Sequence, residues 1–388
     1  MTEPARQKEK KMRQRHQPAS GESARLDNRA RPATRPSAAR ILAISTAALA
    51  AIAFSPAGIG RASAIPALTC SDHSLAVSIT DPGPADQTMW GQLCYRGSRE
   101  PATVQLLVHG ATYNHLYWNF PYGNGYYSYV DAATAAGYAT FDIDRIGDGN
   151  SSHPPSSQVT LTAGAVALHD AVTALRTGAV DGHPFQHVII VGHSLGSIEA
   201  WIEAGTYHDV DAVIITGALH ALTPDAATLV DTDFYPATDD PKFAGSGLDS
   251  GYLTTVPGTR EALFYDPATA NPAVVAADEA TRDTSTLAEV TGTVSLLSQP
   301  PTDQPSYQIN VPVLVVVGAD DNLFCAGVTV YNCASAASVQ SFESQYYSPA
   351  AHLKVVTIPD TGHDLALSTT APITDAVMLG WSLSVIAP

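Results

Sequence analysis

Basic side chains are scarce in this chain of 388 residues: 20 Lys and Arg stand against 37 Asp and Glu, a formal net charge of −17. Residues 1–64 hold 12 of those bases and 4 of the acids, so the remainder carries 8 against 33, a net of −25. A surface so acidic stays soluble and repels nucleic acid and anionic lipid, and it disfavours a polyanionic substrate. No run is long enough to span a bilayer, which takes about 20 apolar residues; the uncharged stretch from Ile41 to Phe54 has 14. The histidines show no His-Glu-x-x-His spacing, so no metal is expected. Gly147-Asp148-Gly149 lacks the third glycine and the opening helix of a dinucleotide loop, so no cofactor is expected either. Internal repeats are absent. Cysteine is limited to Cys70, Cys94, Cys325 and Cys333.

Met1 to Arg40 is rich in Arg, Lys, Pro and Ser, without hydrophobic periodicity, and cannot bury a core. It is followed by the apolar stretch 41–54 and then by Ala62-Ser63-Ala64. Basic, apolar and small residues in that order read as a secretory signal peptide cleaved after Ala64, so residues 1–64 are set apart and a secreted protein is expected. The missing twin arginine favours the general export route, and Met12 is an alternative start. An uncleaved anchor and a nucleic-acid-binding arm are the competing readings. All four cysteines follow the cleavage point and their number is even, which predicts disulfides. Of the three possible pairings, Cys70–Cys94 joins the first two expected strands and Cys325–Cys333 closes a short loop, and this pair is favoured.

Gly192-His193-Ser194-Leu195-Gly196 is the most informative segment. It follows the β-branched run Val188 to Val191 and precedes a helical stretch, Ser197 to Ala204. A serine on a tight strand-to-helix turn projects its hydroxyl clear of the backbone, and the flanking glycines permit the turn. The next amide, Leu195 N–H, is left at a helix N-terminus, where it can bind an oxyanion. Two later apolar runs end in polar turns. Val311 to Val317 leads to Gly318-Ala319-Asp320-Asp321-Asn322, and Leu353 to Ile358 leads to Pro359-Asp360-Thr361-Gly362-His363-Asp364. The order is serine, aspartate, histidine.

From Ser74 onward the chain resembles the α/β-hydrolase family. Leu106 to Ala111 is similar to its strand and His-Gly oxyanion loop, and Asp144 to Ser151 to its Asp-Arg-x-Gly-x-Gly-x-Ser loop. The resemblance implies an α/β fold: a mostly parallel eight-stranded sheet, helices on both faces, and a cap inserted between strands 6 and 7. It implies Ser194 as nucleophile, which sets the chain apart from relatives with an aspartate nucleophile, and His363 as general base. The family places its acid three residues after the strand-ending glycine, which points to Asp321; a loop shorter by one would point to Asp320. Amides of Ala111 and Leu195 are the expected oxyanion donors.

Other residues invite weaker readings. His109 is expected to brace the oxyanion loop, and His193 to pack beneath the turn or border the substrate. Tyr113, His115, Tyr117 and Trp118 either line an acyl pocket or pack on the core. Asp360 and Asp364 are expected to be solvated, and Glu199 to favour the positive end of its helix. Strands are predicted at 74–80, 88–95, 104–109, 138–143, 187–191, 210–217, 311–318 and 352–358. Helices are predicted near 126–136, 158–177, 194–205, 335–347 and 372–385. Residues 218–310 break the alternation and form the expected cap between core segments 65–217 and 311–388. The sum is a cofactor-independent serine hydrolase of small-molecule esters or lactones, acting through an acyl-enzyme. Amide or peptide hydrolysis, with an acidic cluster for the substrate amine, is the alternative enzyme reading. A non-catalytic binding module is the alternative outside enzymes.

Overall fold

The computed structural model describes residues 66–98 and 100–388; the expected signal peptide, its cleavage site and Met12 lie outside the described residues. The elements follow one another as β1 (Leu68–Val77), β2 (Gln87–Arg96), β3 (Thr103–Val108), α1 (Tyr129–Ala135), β4 (Ala139–Ile143), α2 (Leu161–Thr177), β5 (His187–His193), α3 (Leu195–Tyr207) and β6 (Ala212–Thr216). A segment of short elements comes next: α4 (Ala226–Asp233), β7 (Phe234–Pro236), β8 (Tyr252–Thr255), α5 (Arg260–Phe264), α6 (Pro272–Thr281), β9 (Ser285–Thr286) and α7 (Leu287–Leu297). The main pattern resumes with β10 (Val313–Gly318), α8 (Ala336–Glu343), β11 (Lys354–Ile358) and α9 (Ala371–Val385).

Eight strands form one sheet in the order β1-β2-β4-β3-β5-β6-β10-β11. β1–β2 and β2–β4 pair antiparallel and every later pair is parallel. Alternate residues feed opposite faces, as the two-residue period of a strand requires. Val188 and Ile190 of β5 join one core, with Val313, Val315 and Val317 of β10. Ile189 and Val191 join the other, with Leu314 and Val316. Helices α2 and α3 cover the first face through Leu168, Val172, Ile198 and Trp201. α1 and α9 cover the second through Val130, Met378 and Trp381. Helix α2 is bounded by its own sequence: Thr160 Oγ1 accepts from Ala163 N at 3.1 Å, and Gly178 closes the other end at φ 77°.

The first strand begins six residues before its expected start at 74. It is an edge strand whose burial is confined to Leu75 and Val77, so its outer half carries no apolar signal. Backbone pairing from Leu68↔Arg96 onward and the Cys70–Cys94 disulfide hold it instead. Cys325–Cys333 is also formed, so both favoured pairings are present. Within the segment between β6 and β10, β7, β8 and β9 make a small antiparallel sheet. With two to four residues each, these strands are too short to show an alternating pattern. Among the described residues no helix is long and apolar enough to cross a membrane.

Candidate active site

The strand register fixes where the functional side chains meet. Val108, the last residue of β3, pairs with Gly192 of β5, and His193 pairs with Thr216 at the end of β6. The loop after β3 therefore lies beside the turn after β5, at the carboxyl edge of the sheet, where parallel α/β proteins bind ligands. Ser194 sits on that turn with φ 53° and ψ −119°, a strained conformation for a residue with a side chain. Its amide is tied to Thr216 O at 2.8 Å, and the Ser197 hydroxyl bridges Thr216 O and N at 2.9 and 3.1 Å. The glycines are required by close approach. A Cβ on Gly192 would lie 2.5 Å from Ser197 Cα, and one on Gly196 2.4 Å from His109 O. Neither Leu195 N–H nor Ala111 N–H donates to a protein acceptor among the described residues, so both are available to an anionic oxygen.

The other two chemical groups come from the ends of β10 and β11. Gly318, at the end of β10, has room only for hydrogen: a Cβ there would sit 2.1 Å from Gly362 O. This contact holds the β10 and β11 loops together. His363 Nδ1 lies 2.8 Å from Asp321 Oδ2. The second oxygen, Asp321 Oδ1, accepts from Leu323 N and Phe324 N at 2.7 and 3.1 Å. Asp321 is buried whereas Asp320 is exposed, so of the two carboxylates it is Asp321 that meets the imidazole. Burial opposes a charge on His363, but the Asp321 carboxylate, its hydrogen bond and nearby Asp364 more than offset it, and the pKa is raised above the ordinary histidine value. Ser194 and His363 front the same cavity, of about 590 Å³, together with Ala111, Tyr113 and Leu195. Its remaining wall is mostly apolar and comes largely from the inserted segment, including Val230, Phe234, Leu253, Val290 and Val294.

Of the five residues read as pocket candidates, Tyr113 lines the cavity, whereas His193, His115, Trp118 and Tyr117, the last buried in the second core, do not. His193 is fully buried beneath the turn, stacked on Tyr117 at 4.2 Å, with Nδ1 3.2 Å from Thr216 Oγ1. Burial and the neighbouring His363 depress its pKa well below the ordinary value, so it is a neutral packing group. His115 turns away because Asp144 Oδ1 captures its Nδ1 at 2.7 Å and its ring packs on Trp90. Trp118 is taken into the second core, where it packs on Tyr129. His109 does brace the loop, with Nδ1 2.9 Å from Gly110 O and Nε2 accepting from Arg145 N at 3.0 Å.

Two carboxylates depart from their expected places. Asp360 is exposed as expected, but Asp364 is fully buried. Its Oδ2 accepts from the Tyr113 hydroxyl, and Oδ1 approaches His193 Nε2 at 3.6 Å. Burial raises its pKa to about 6 against the opposing pull of Arg260 and His363. Glu199 does not serve the helix end: it is buried against Arg145 Nε at 2.9 Å. Arg145 is the residue that sequence reasoning passed over. It is fully buried, contacts Glu199, Glu289 and Asp148, and reaches Gly110 O at 3.4 Å. One cation thus connects α3, the loop after β3 and α7. The Asp-Arg pair of the loop was visible in the sequence, but its partners lie 54 and 144 residues away.

The chain matches the alpha/beta hydrolase family over residues 105–376, and it belongs to that family. No curated protein sequence matches it. Among solved structures it is similar to a thermophilic esterase from Thermogutta terrifontis, at 17% identity and TM-score 0.53, over 81% of this chain and 99% of that one. It is also similar to a meta-cleavage product hydrolase from Pseudomonas fluorescens, at 11% identity and TM-score 0.52, over 80% and 97%. A bromoperoxidase from Bacillus anthracis matches at 18% identity and TM-score 0.50, over 80% and 99%. At such identities the likeness is one of fold, and a fold shared by an esterase and a bromoperoxidase does not name the reaction.

Proposed function

We propose that the protein is a serine hydrolase of carboxylic esters or lactones. Ser194 is the nucleophile, His363 the general base and Asp321 the acid that orients the imidazole. The observation that carries this reading is the opening of the strained Ser194 turn, two free amides and an aspartate-bound imidazole onto one apolar cavity. Asp321 at Nδ1 leaves Nε2 as the basic nitrogen, and it stabilises the imidazolium formed as the serine attacks. Ser194 and His363 line the same cavity, and the hydrogen bond between Ser194 Oγ and His363 Nε2 is made once substrate is bound. Leu195 N–H and Ala111 N–H hold the oxyanion, a contribution of about 3 kcal/mol per donor. The imidazolium then protonates the leaving alcohol, and water repeats the sequence on the acyl-enzyme.

Residues 218–310 act as a cap that shapes the acyl site, and residues 1–64 direct export. An ester is favoured over a peptide by the cavity wall. Asp231 is the one carboxylate on it among the described residues, and Glu199 is locked on Arg145, so no acidic cluster awaits a substrate amine. The test is turnover of p-nitrophenyl esters graded by acyl length, set against aminoacyl nitroanilides. Preferential ester cleavage, strongest for apolar acyl chains, is expected; nitroanilide cleavage at equal or higher kcat/KM would replace this reading with peptide hydrolysis.

A further inference from the structure

At the far end of α3, away from the cleft, three metal-ligating side chains converge. His169 lies on α2, Glu203 near the end of α3, and Asp209 in the loop that follows, just past His208 in the left-handed conformation (φ 55°). One ligand atom from each lies within 4.8 Å of the other two. His169 Nδ1 is 2.6 Å from Asp209 Oδ2. Glu203 is fully buried, and neither of its carboxylate oxygens has a hydrogen-bond partner; Asp209 Oδ1 also lacks one. A buried carboxylate without a donor or a countercharge is costly, and here a second carboxylate lies against it.

The neighbouring groups do not relieve this. Arg176 is committed elsewhere: Nε donates to Asp209 O at 2.7 Å, and its two amino groups donate to Gln186 O and Asp211 Oδ2 at 3.0 and 2.6 Å. Tyr207 stacks on the His169 ring at 3.9 Å and gives its hydroxyl to Asp81 Oδ2 at 3.1 Å. What the cluster lacks is positive charge able to accept an imidazole nitrogen and carboxylate oxygens at once. We propose that His169, Glu203 and Asp209 bind a divalent transition-metal cation, Zn²⁺ before others. The imidazole selects against Ca²⁺ and Mg²⁺, and a set of one nitrogen and carboxylate oxygens suits Zn²⁺. The His169 and Asp209 side chains are 32% and 23% exposed, which leaves an entry path and room for water ligands.

The role of the ion is mechanical. Glu203 stands nine residues beyond Ser194, about 13 Å along the helix axis, so the cation takes no part in ester cleavage. It ties α2 to the helix that begins just after the proposed nucleophile. The ligands come from two helices and a loop, which is why no short sequence spacing announces them.

The test uses the full chain stripped by a chelator and titrated separately with Zn²⁺ and Ca²⁺, followed by calorimetry and thermal melting, beside Glu203→Gln and His169→Gln. The expected result is one Zn²⁺ bound per chain, with a Tm rise of roughly 3–6 °C at about a hundred times the dissociation constant. Both variants should lose that equivalent and the rise, and Ca²⁺ should bind at least about tenfold more weakly. His169→Gln, at a half-open position, carries the test should Glu203→Gln fail to fold. No Zn²⁺ uptake by the stripped chain, or the same uptake in a folded variant, overturns the proposal. So does a stripped Glu203→Gln that melts higher than a stripped parent indifferent to Zn²⁺, the mark of a shared proton.

Discussion

The parallel strands and the segment between β6 and β10 are held in place by different forces. β10 is buried along its whole length, and its alternate residues serve two apolar cores. Burial of this kind is non-directional and tolerant of exchange at constant volume. The inserted segment buries less and is anchored by polar contacts. Arg260 grips Asp278 through Nε and one amino group, each at 2.9 Å, and its other amino group donates to Thr112 Oγ1 at 2.9 Å. Thr112 N donates to Thr284 O and Asp283 N to Thr112 O, at 2.9 and 2.8 Å. Glu289 of α7 meets Arg145. Buried pairs of this sort specify position more than they add stability. The difference divides the cavity: the sheet carries Ser194, Asp321 and His363, and the insertion supplies most of the remaining wall while being pinned to the loop after β3.

Changes to the sheet's contribution should act on every substrate alike. Ser194→Ala is expected to lower kcat on the order of 10⁴–10⁶-fold and to keep the fold, as circular dichroism and melting would record; residual activity near that of the parent would remove Ser194 from the chemistry. Asp321→Asn should lower kcat by about 10⁴-fold through the wrong imidazole tautomer. Asp320→Asn, on an exposed side chain, should leave it nearly unchanged, and a reversed result would transfer the acid to Asp320.

Changes to the insertion should discriminate between substrates. Val230→Trp fills part of the apolar wall, and KM for long-chain p-nitrophenyl esters is expected to rise about tenfold, the worth of one or two methylenes in a pocket. Acetate ester turnover should change little; an equal loss on both esters would mean that α4 bears on the catalytic groups and not on acyl fit. The smallest effect is on the pH profile. The general base must be neutral and its pKa is raised, so kcat/KM should climb with pH and reach its plateau only above the ordinary histidine value of about 6.5. Asp364→Asn removes one of the anionic neighbours that raise that pKa and should move the midpoint down. A midpoint that moves up, or a rate that falls across this interval in the parent, contradicts the role of His363.

The frame was legible because it follows two rules that act locally. Strands buried on both faces read as unbroken apolar runs, and Gly192, Gly196 and Gly318 mark turns where only hydrogen fits. Ser194, Asp321 and His363 could be placed because each ends such a strand. The insertion was legible only as a break in rhythm: a strand as short as Ser285–Thr286 has no period, and α7 is announced chiefly by its Thr286–Glu289 capping box. Buried charge was the least legible. Asp364 looked like a solvated acid and Glu199 like a helix-end acid because their partners, Tyr113 and Arg145, are distant in the chain. His115 looked like a pocket residue because nothing local announces Asp144 as its partner. Residue type gives chemistry, but partners decide direction.

The most direct measurement is intact-mass and peptide mapping after exposure of the full chain to a fluorophosphonate. One adduct is expected, on the peptide bearing Ser194, formed far more slowly in Asp321→Asn. An adduct on another residue, or undiminished labelling of Ser194 in that variant, would contradict the triad of Ser194, His363 and Asp321.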